Sequence, residues 1–255
     1  MAPQGHESGD RCDPSQWAAE AEFFDREAEA RALVPLDPAI PHRYAKPSGP
    51  WSLDFCFRVA GDLQGRTVLD VGAGAGENSL VLAALGARVT ALDISPRSLE
   101  VIRCRAELSG LGERISTVCT PLEAWQSEDR FDIIWIDSFL HHVIPNLPLV
   151  LRSLRARMAP GGRVIITEPY SPRWLRAFRM ALPIPAHGTP GERPLNGAEL
   201  RLVSEVFPGI HKRSFLFLSR FRRFFRKAES LAGLDAALLQ VPGLGWLGGY
   251  IVLWT

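Results

Sequence analysis

From residue 67 to residue 168 the chain alternates apolar runs with helical crossovers. This places it in the α/β class: a doubly wound, mostly parallel, seven-stranded sheet with helices on both faces, an antiparallel last strand and helical cap insertions. Two features carry that reading. The runs TVLDV, RVTALD, ISTVC, FDIIWID and GRVIITE are nearly unbroken by polar residues, as strands buried on both faces require. The first run also closes on Asp70 and opens into Gly72, Gly74 and Gly76 before a helical stretch, and parallel sheets bind ligands at such carboxyl-edge loops.

Taken in order, residues 15–32 set Trp17, Ala21, Phe24 and Ala28 at helical spacing with acids between them, which predicts an amphipathic helix. The proline-rich LVPLDPAIPHRYAKPSGPW follows it. Helices are expected over 78–85, 96–109 and 146–158, the second opened by Ser95 as cap and Pro96 in its first turn. After Glu168 the rhythm stops until Pro194, and a helix then opens with NGAE, where Asn196 can cap and Glu199 can reach back. KRSFLFL and YIVLWT supply the last two strands, with helical sequence between them. If KRSFLFL runs parallel to the sheet, both insertions emerge on the ligand side and roof it. One elaborated domain of three regions results: an N-terminal helical lid over 1–60, a ligand-binding core over 61–169, and the remaining sheet with its caps over 170–255.

At 255 residues and 46% hydrophobic content, the chain can bury a large core. Cys12, Cys56, Cys104 and Cys119 show neither CxxC spacing nor a disulfide framework, which argues against a zinc site and for reduced thiols. The opening MAPQGHESGDRCDP carries charges and prolines where a secretion signal needs an apolar stretch, so a cytoplasmic location is expected. Charge is unevenly spread: residues 1–150 sum to −9, 151–227 to +12 and 228–255 to −2. The basic part includes RWLRAFRM (173–180) and the acid-free HKRSFLFLSRFRRFFRK (211–227), a composition that suits an anionic partner.

A glycine loop between strand and helix lets backbone approach a ligand and offers amide N–H groups to a negative one. Dinucleotide binders place Gly or Ala at the third position of GxGxxG, where this chain has Glu77, so nicotinamide and flavin are disfavoured. No phosphate-binding loop with its lysine is present either. A carboxylate ending the second strand, Asp93, stands 21 residues beyond Gly72, where a vicinal diol can be gripped by two charge-assisted bonds.

VLDVGAGAG, the strand end VTALD, FDIIWIDSFLHHV and MAPGGRVIITEP, in that order, resemble the class I S-adenosylmethionine-dependent methyltransferases, Rossmann-like proteins of which this chain looks like a small-molecule type. The resemblance covers Thr67 to Pro169 and implies S-adenosylmethionine as cofactor and S-adenosylhomocysteine as product. It implies that Gly72, Ala73 and Gly74 approach the methionyl part, that Asp70 lies beneath the loop, and that Asp93 with Ile94 holds the ribose. Asp137 and Ser138 would lie near the reacting sulfonium. Where relatives carry an aspartate for the adenine amino group, this chain reads TPLEA, so that contact falls to the Leu122 backbone, to Glu123 or to neither. His141 and His142 are the catalytic candidates, since a neutral imidazole can take a proton from a hydroxyl acceptor; His142 matches the family's more usual histidine.

A small-molecule acceptor with an apolar body and an acidic group is expected from the covered site and the basic aromatic run: a specialised metabolite, lipid, quinone precursor or prenyl compound. Arg43, Tyr44 and Trp51 are the candidate acceptor contacts. The same run admits a weak contact with an anionic membrane surface. It also admits RNA as acceptor, against which the near-neutral total charge and the lack of an appended RNA module argue. A non-enzymatic cofactor binder is the remaining alternative, and self-association is not readable.

Overall fold

The computed structural model describes residues 14–171, 192–216 and 228–255. Three helices, α1 (Pro14–Glu29), α2 (Ala39–Ala45) and α3 (Ser52–Ala60), precede β1 (Thr67–Val71). Then α4 (Glu77–Ala84), β2 (Arg88–Asp93), α5 (Pro96–Leu108), β3 (Ile115–Cys119), β4 (Phe131–Asp137), α6 (Leu147–Ala156) and β5 (Met158–Pro169) alternate as the sequence predicts. The described chain ends with α7 (Gly197–Val206), β6 (His211–Phe215), α8 (Ala228–Leu238) and β7 (Tyr250–Trp254).

The seven strands form one sheet in the order β3-β2-β1-β4-β5-β7-β6. β1 to β5 pair in parallel, while β7 is antiparallel to both β5 and β6, so β6 shares the direction of the first five. The carboxyl ends of β1, β2, β4 and β5 therefore share one edge. β7 runs the other way and delivers its first residue, Tyr250, to that edge opposite Pro169.

Alternation along the strands divides the core between the two faces. Ile134, Ile136, Val164 and Ile166 pack with Leu147, Leu151 and Leu154 of α6 and Val203 of α7. Ile133, Trp135 and Ile165 pack on the other side with Phe55 and Phe57 of α3 and Val81 and Leu82 of α4. Burial of each such side chain contributes about 1.5–3 kcal/mol.

Helix starts follow the caps read from sequence. Ser95 Oγ accepts the Ser98 amide at 2.9 Å, and Pro96 opens α5. Asn196 Oδ1 accepts the Ala198 amide at 2.8 Å while Glu199 accepts the Asn196 amide at 2.8 Å, completing the capping box of α7. α1 stops at Glu29, three residues short of the expected 32. β6 stops at Phe215, short of the expected KRSFLFL. The basic stretches 173–180 and 217–227, and with them most of the expected cap insertions and the run offered to membrane or RNA, lie outside the described residues. Among the described residues no helix is long and apolar enough to cross a membrane.

Gly76 turns the chain into α4 with φ of 81°, and a Cβ there would lie 2.6 Å from Ile102 Cγ1, inside the buried contact between loop and α5. Left-handed strain and overpacking together should make Gly76→Ala less stable by roughly 2–4 kcal/mol. Urea unfolding checks this, and an unchanged midpoint would mean that the loop relaxes freely.

Candidate active site

The glycine loop is pinned from below. Gly72 and Ala73 donate their amides to Leu92 O at 2.9 and 3.1 Å, and Gly74 donates to Asp93 Oδ2 at 2.8 Å. The other oxygen of that carboxylate, Oδ1, accepts the Ser95 amide at 2.8 Å. Asp93 thus fastens loop and strand end together. Gly72 and Gly74 both adopt positive φ, 67° and 52°, which glycine does without a Cβ penalty. Their surroundings differ. A Cβ on Gly72 would sit 2.6 Å from Phe139 Cδ2, so Phe139 already fills that space, whereas nothing lies within 4 Å of a Cβ on Gly74. The hollow that a closely approaching ligand needs is over Gly74.

Above the loop lies a cavity walled mainly by apolar surface. The core contributes Gly72 and Gly74 after β1, Asp93 and Ile94 at the end of β2, and Leu122 and Glu123 after β3. Ser138, Phe139 and His142 come from the loop after β4. The opposite wall is α1, through Trp17, Glu20 and Phe24. An adjoining groove shares Phe24, Gly72, Gly74 and Ser138 and adds Ala73, Asn78 and Asp137. Ser138, which borders both, is held at φ 59°, a strained value for a serine, by its amide bond to Thr167 O at 2.8 Å.

Two further acids brace the floor. Asp70 is buried beneath the loop, where it accepts Ser79 Oγ–H at 2.6 Å, and burial pushes its carboxyl up to about 7 despite that bond. Asp137 accepts Asn78 Nδ2 at 3.0 Å and Ser138 Oγ at 3.3 Å, and burial again holds it above the ordinary aspartate value. Burial likewise raises Asp93, against the lowering effect of its amide donors.

The two histidines divide. His141 is buried with Nδ1 2.7 Å from Glu168 Oε2 and Nε2 3.2 Å from Glu192 Oε1. Burial by itself would lower this imidazole, but the two carboxyl groups outweigh it and raise it above the usual histidine value. Burial also pushes Glu168 upward, which would favour a neutral pair. Glu168 nevertheless faces three donors, the Phe139 and Leu140 amides at 2.9 and 2.6 Å and the His141 ring, an environment suited to a carboxylate beside an imidazolium. His142 instead lines the cavity, with its ring edge-on to Phe24 at 5.5 Å between centroids. Its Nδ1 is buried without a hydrogen bond, 3.9 Å from Glu20 Oε1 and 3.9 Å from Glu192 Oε2. Burial, with His141 beside it, lowers His142 to about 4, so it is neutral at pH 7.

Of the residues anticipated from sequence, the structure brings Gly72, Gly74, Asp93, Ile94, Leu122, Glu123, Ser138 and His142 to the cavity and Ala73 and Asp137 to the groove, with Asp70 beneath. Arg43, Tyr44 and Trp51 are not among these walls. Arg43 makes a two-toothed bond to the buried Asp54, at 3.2 and 2.7 Å, because that carboxylate needs a cation. Tyr44 stacks on Phe57 at 4.4 Å, and Trp51 begins α3. Trp17, Glu20 and Phe24 went unassigned although their helical stripe was legible. Glu192 gave no local signal at all.

The residues fit S-adenosylmethionine: an open hollow at Gly74 for its amino-acid end, a buried carboxylate at the end of β2 for a sugar diol, and apolar walls for a flat base. A parallel sheet with these groups at its carboxyl edge defines a nucleoside-cofactor enzyme of the doubly wound class. The family described as "Methyltransferase domain" matches residues 68–162. The ubiquinone biosynthesis O-methyltransferase of Actinobacillus pleuropneumoniae serotype 7 (strain AP76) is 35% identical over 198 residues, which are 75% of this chain and 73% of that protein. The enzyme of the same name from Bordetella avium (strain 197N) is 32% identical over 150 residues, 59% of this chain and only 57% of that relative's length. Among solved structures, the DhpI complex with S-adenosylhomocysteine is similar in fold, with a TM-score of 0.55 at 16% identity over 95% of this chain and 97% of that one. The chain belongs to the class I S-adenosylmethionine-dependent methyltransferases.

Asp93→Ala should weaken S-adenosylmethionine binding by at least about tenfold, because it removes the diol acceptor and frees the Gly74 amide. Gly74→Ala should weaken it as well while costing only about 1–2 kcal/mol of stability, since its Cβ meets no protein atom. Calorimetric titration checks both, and unchanged affinity in either variant would place the nucleoside elsewhere.

Proposed function

We propose that this protein methylates a hydroxyl oxygen of a small acceptor of the quinone-precursor type, with an apolar body and an acidic group. The single observation that carries the reading is His142: a neutral imidazole on the cavity wall, in the loop that also supplies Ser138 at the junction of cavity and groove. The names of the related ubiquinone biosynthesis O-methyltransferases support an oxygen acceptor.

When bound, S-adenosylmethionine supplies a methyl group already activated by positive sulfur. The chain then has two tasks. The loop at Gly74 and the clasp of Asp93 fix the donor, while α1 shields the cavity with Trp17 and Phe24, so that alignment and exclusion of water lower the barrier. His142 takes the hydroxyl proton as the acceptor oxygen forms its bond to the methyl carbon and the sulfur–carbon bond breaks, leaving a neutral thioether. His141 cannot take that part, because both its nitrogens are engaged by carboxyl groups.

Incubation with labelled S-adenosylmethionine and a prenylated dihydroxybenzoate should give a product one methyl group heavier, resolved by mass spectrometry. His142→Ala should lower turnover roughly 10²- to 10⁴-fold while leaving cofactor affinity within about twofold. Equal turnover would assign His142 to packing, and absence of any methylated product from this probe and from phenolic extracts would remove the hydroxyl reading.

A further inference from the structure

On the face of the sheet that α3 covers, positive charge gathers without a counter-charge. Phe55 of α3 reaches Phe215 of the edge strand β6, and alternation along that strand puts His211 and Arg213 on the same face as Phe215. The Arg213 guanidinium stands 4.8 Å from the centroid of Phe55 and 5.4 Å from that of Phe215. Arg58 of α3 lies 5.7 Å from the same Phe55 ring and donates to Gly49 O at 3.2 Å. Arg163 of β5 donates to Val59 O, in the last turn of α3, at 2.7 Å. Among the described residues none of these three arginines has a carboxylate in an ion pair. Residues 172–191 and 217–227 contain no Asp or Glu, so neither stretch can supply one. Charge on an edge strand discourages unwanted pairing, and the exposed His211 and Lys212 serve that end. Arg213 is different. It is half-buried against two phenyl rings, where burial and then the repulsion of Arg58 hold it below the ordinary arginine value.

A groove opens beside this charge, lined by Phe55, Lys212, Arg213, Gln240, Trp246 and Trp254 among others. Trp254 meets Phe55 edge-on at 4.8 Å, and the His211 ring lies 5.4 Å from Trp254 at 30°. The groove shares no lining residue with the catalytic cavity or with the groove adjoining it. Trp254 is four residues along β7 from Tyr250, roughly 13 Å from the edge where the cofactor residues gather. We infer that this groove is a second binding site, for a small aromatic oxyanion. A guanidinium fork takes two oxygens of a carboxylate or phosphate at once, and the anion brings Arg213 and Arg58 the counter-charge that the fold withholds. Indole and phenyl rings along the same groove receive a flat apolar body, which a simple hydrated ion does not offer. The assignment is independent of which acceptor is methylated.

The test titrates the full chain, saturated with S-adenosylhomocysteine, with 2-naphthoate, 2-naphthyl phosphate, the neutral 2-naphthol and inorganic phosphate, read by calorimetry. At least one aryl anion should bind about tenfold tighter than both 2-naphthol and inorganic phosphate, and the tighter of the two tells carboxylate from phosphate. Arg213→Gln and Arg58→Gln should each weaken that anion about five- to tenfold with S-adenosylhomocysteine affinity unchanged. Arg213→Lys, which keeps the charge and loses the fork, should recover only part of the loss. The Arg58 side chain is exposed, so Arg58→Gln decides the matter should Arg213→Gln not fold. Unchanged affinity in the variants that fold would place the anion elsewhere, the catalytic cavity included, and overturn the inference. Inorganic phosphate bound as tightly as the aryl anions would do the same, reducing the face to screened charge. Retention of tRNA with neither aryl anion bound would make it a nucleic-acid surface instead.

Discussion

The Asp93 carboxylate joins the parts on which the site depends. One oxygen holds the Gly74 amide and the other holds the Ser95 amide, so loop and strand end cannot drift apart without breaking a buried charge-assisted bond. The connection continues outward. Ser95 Oγ caps α5 by accepting the Ser98 amide, and it donates to Asp25 Oδ1 of α1 at 2.6 Å, an oxygen that also accepts the Arg97 amide at 3.1 Å. Asp93 is thus two hydrogen bonds from the helix that walls the cavity. Ala28 of that helix packs on Ala75 and Val101, adding an apolar seam to the polar latch.

Burial and charge are balanced differently at each acid and base along the sheet edge. Asp70, Asp93 and Asp137 are all raised by burial, with Ser79, backbone amides and Asn78 respectively offsetting part of it. At the histidine pair the same opposition separates two adjacent residues. His141 has Glu168 and Glu192 at 2.7 and 3.2 Å and is raised; His142 has its carboxyl neighbours at 3.9 Å, beyond hydrogen-bond reach, and is lowered by burial and by His141. Direct contact with carboxyl groups thus outweighs burial at one ring, while burial prevails at the other.

Much of this was legible before any coordinates. The parallel core followed from apolar runs and their spacing, because strands buried on both faces must be apolar throughout; the antiparallel last strand was expected as part of the fold class, and the direction of β6, left open by the sequence, is settled by its pairing with β7. The residues that line the cavity from the sheet were legible because each lies immediately after a strand, where chain position and spatial position coincide. Residues that reach the site from afar were not. Trp17 and Phe24 announced an amphipathic helix, but a stripe does not say what it packs against, and Glu192 approaches the histidines across 51 residues of chain. Arg43, expected as an acceptor contact, is drawn instead to Asp54 eleven residues on, because sequence alone does not show which acids are buried and need a cation.

The most direct measurement of this account is a crystal structure grown with S-adenosylhomocysteine. The account predicts the ribose hydroxyls on the Asp93 carboxylate, the amino-acid end over Gly74, and Trp17 and Phe24 of the N-terminal helix closing the other side. A nucleoside seated away from Asp93, or a cavity with no nucleoside at saturating concentration, would contradict it.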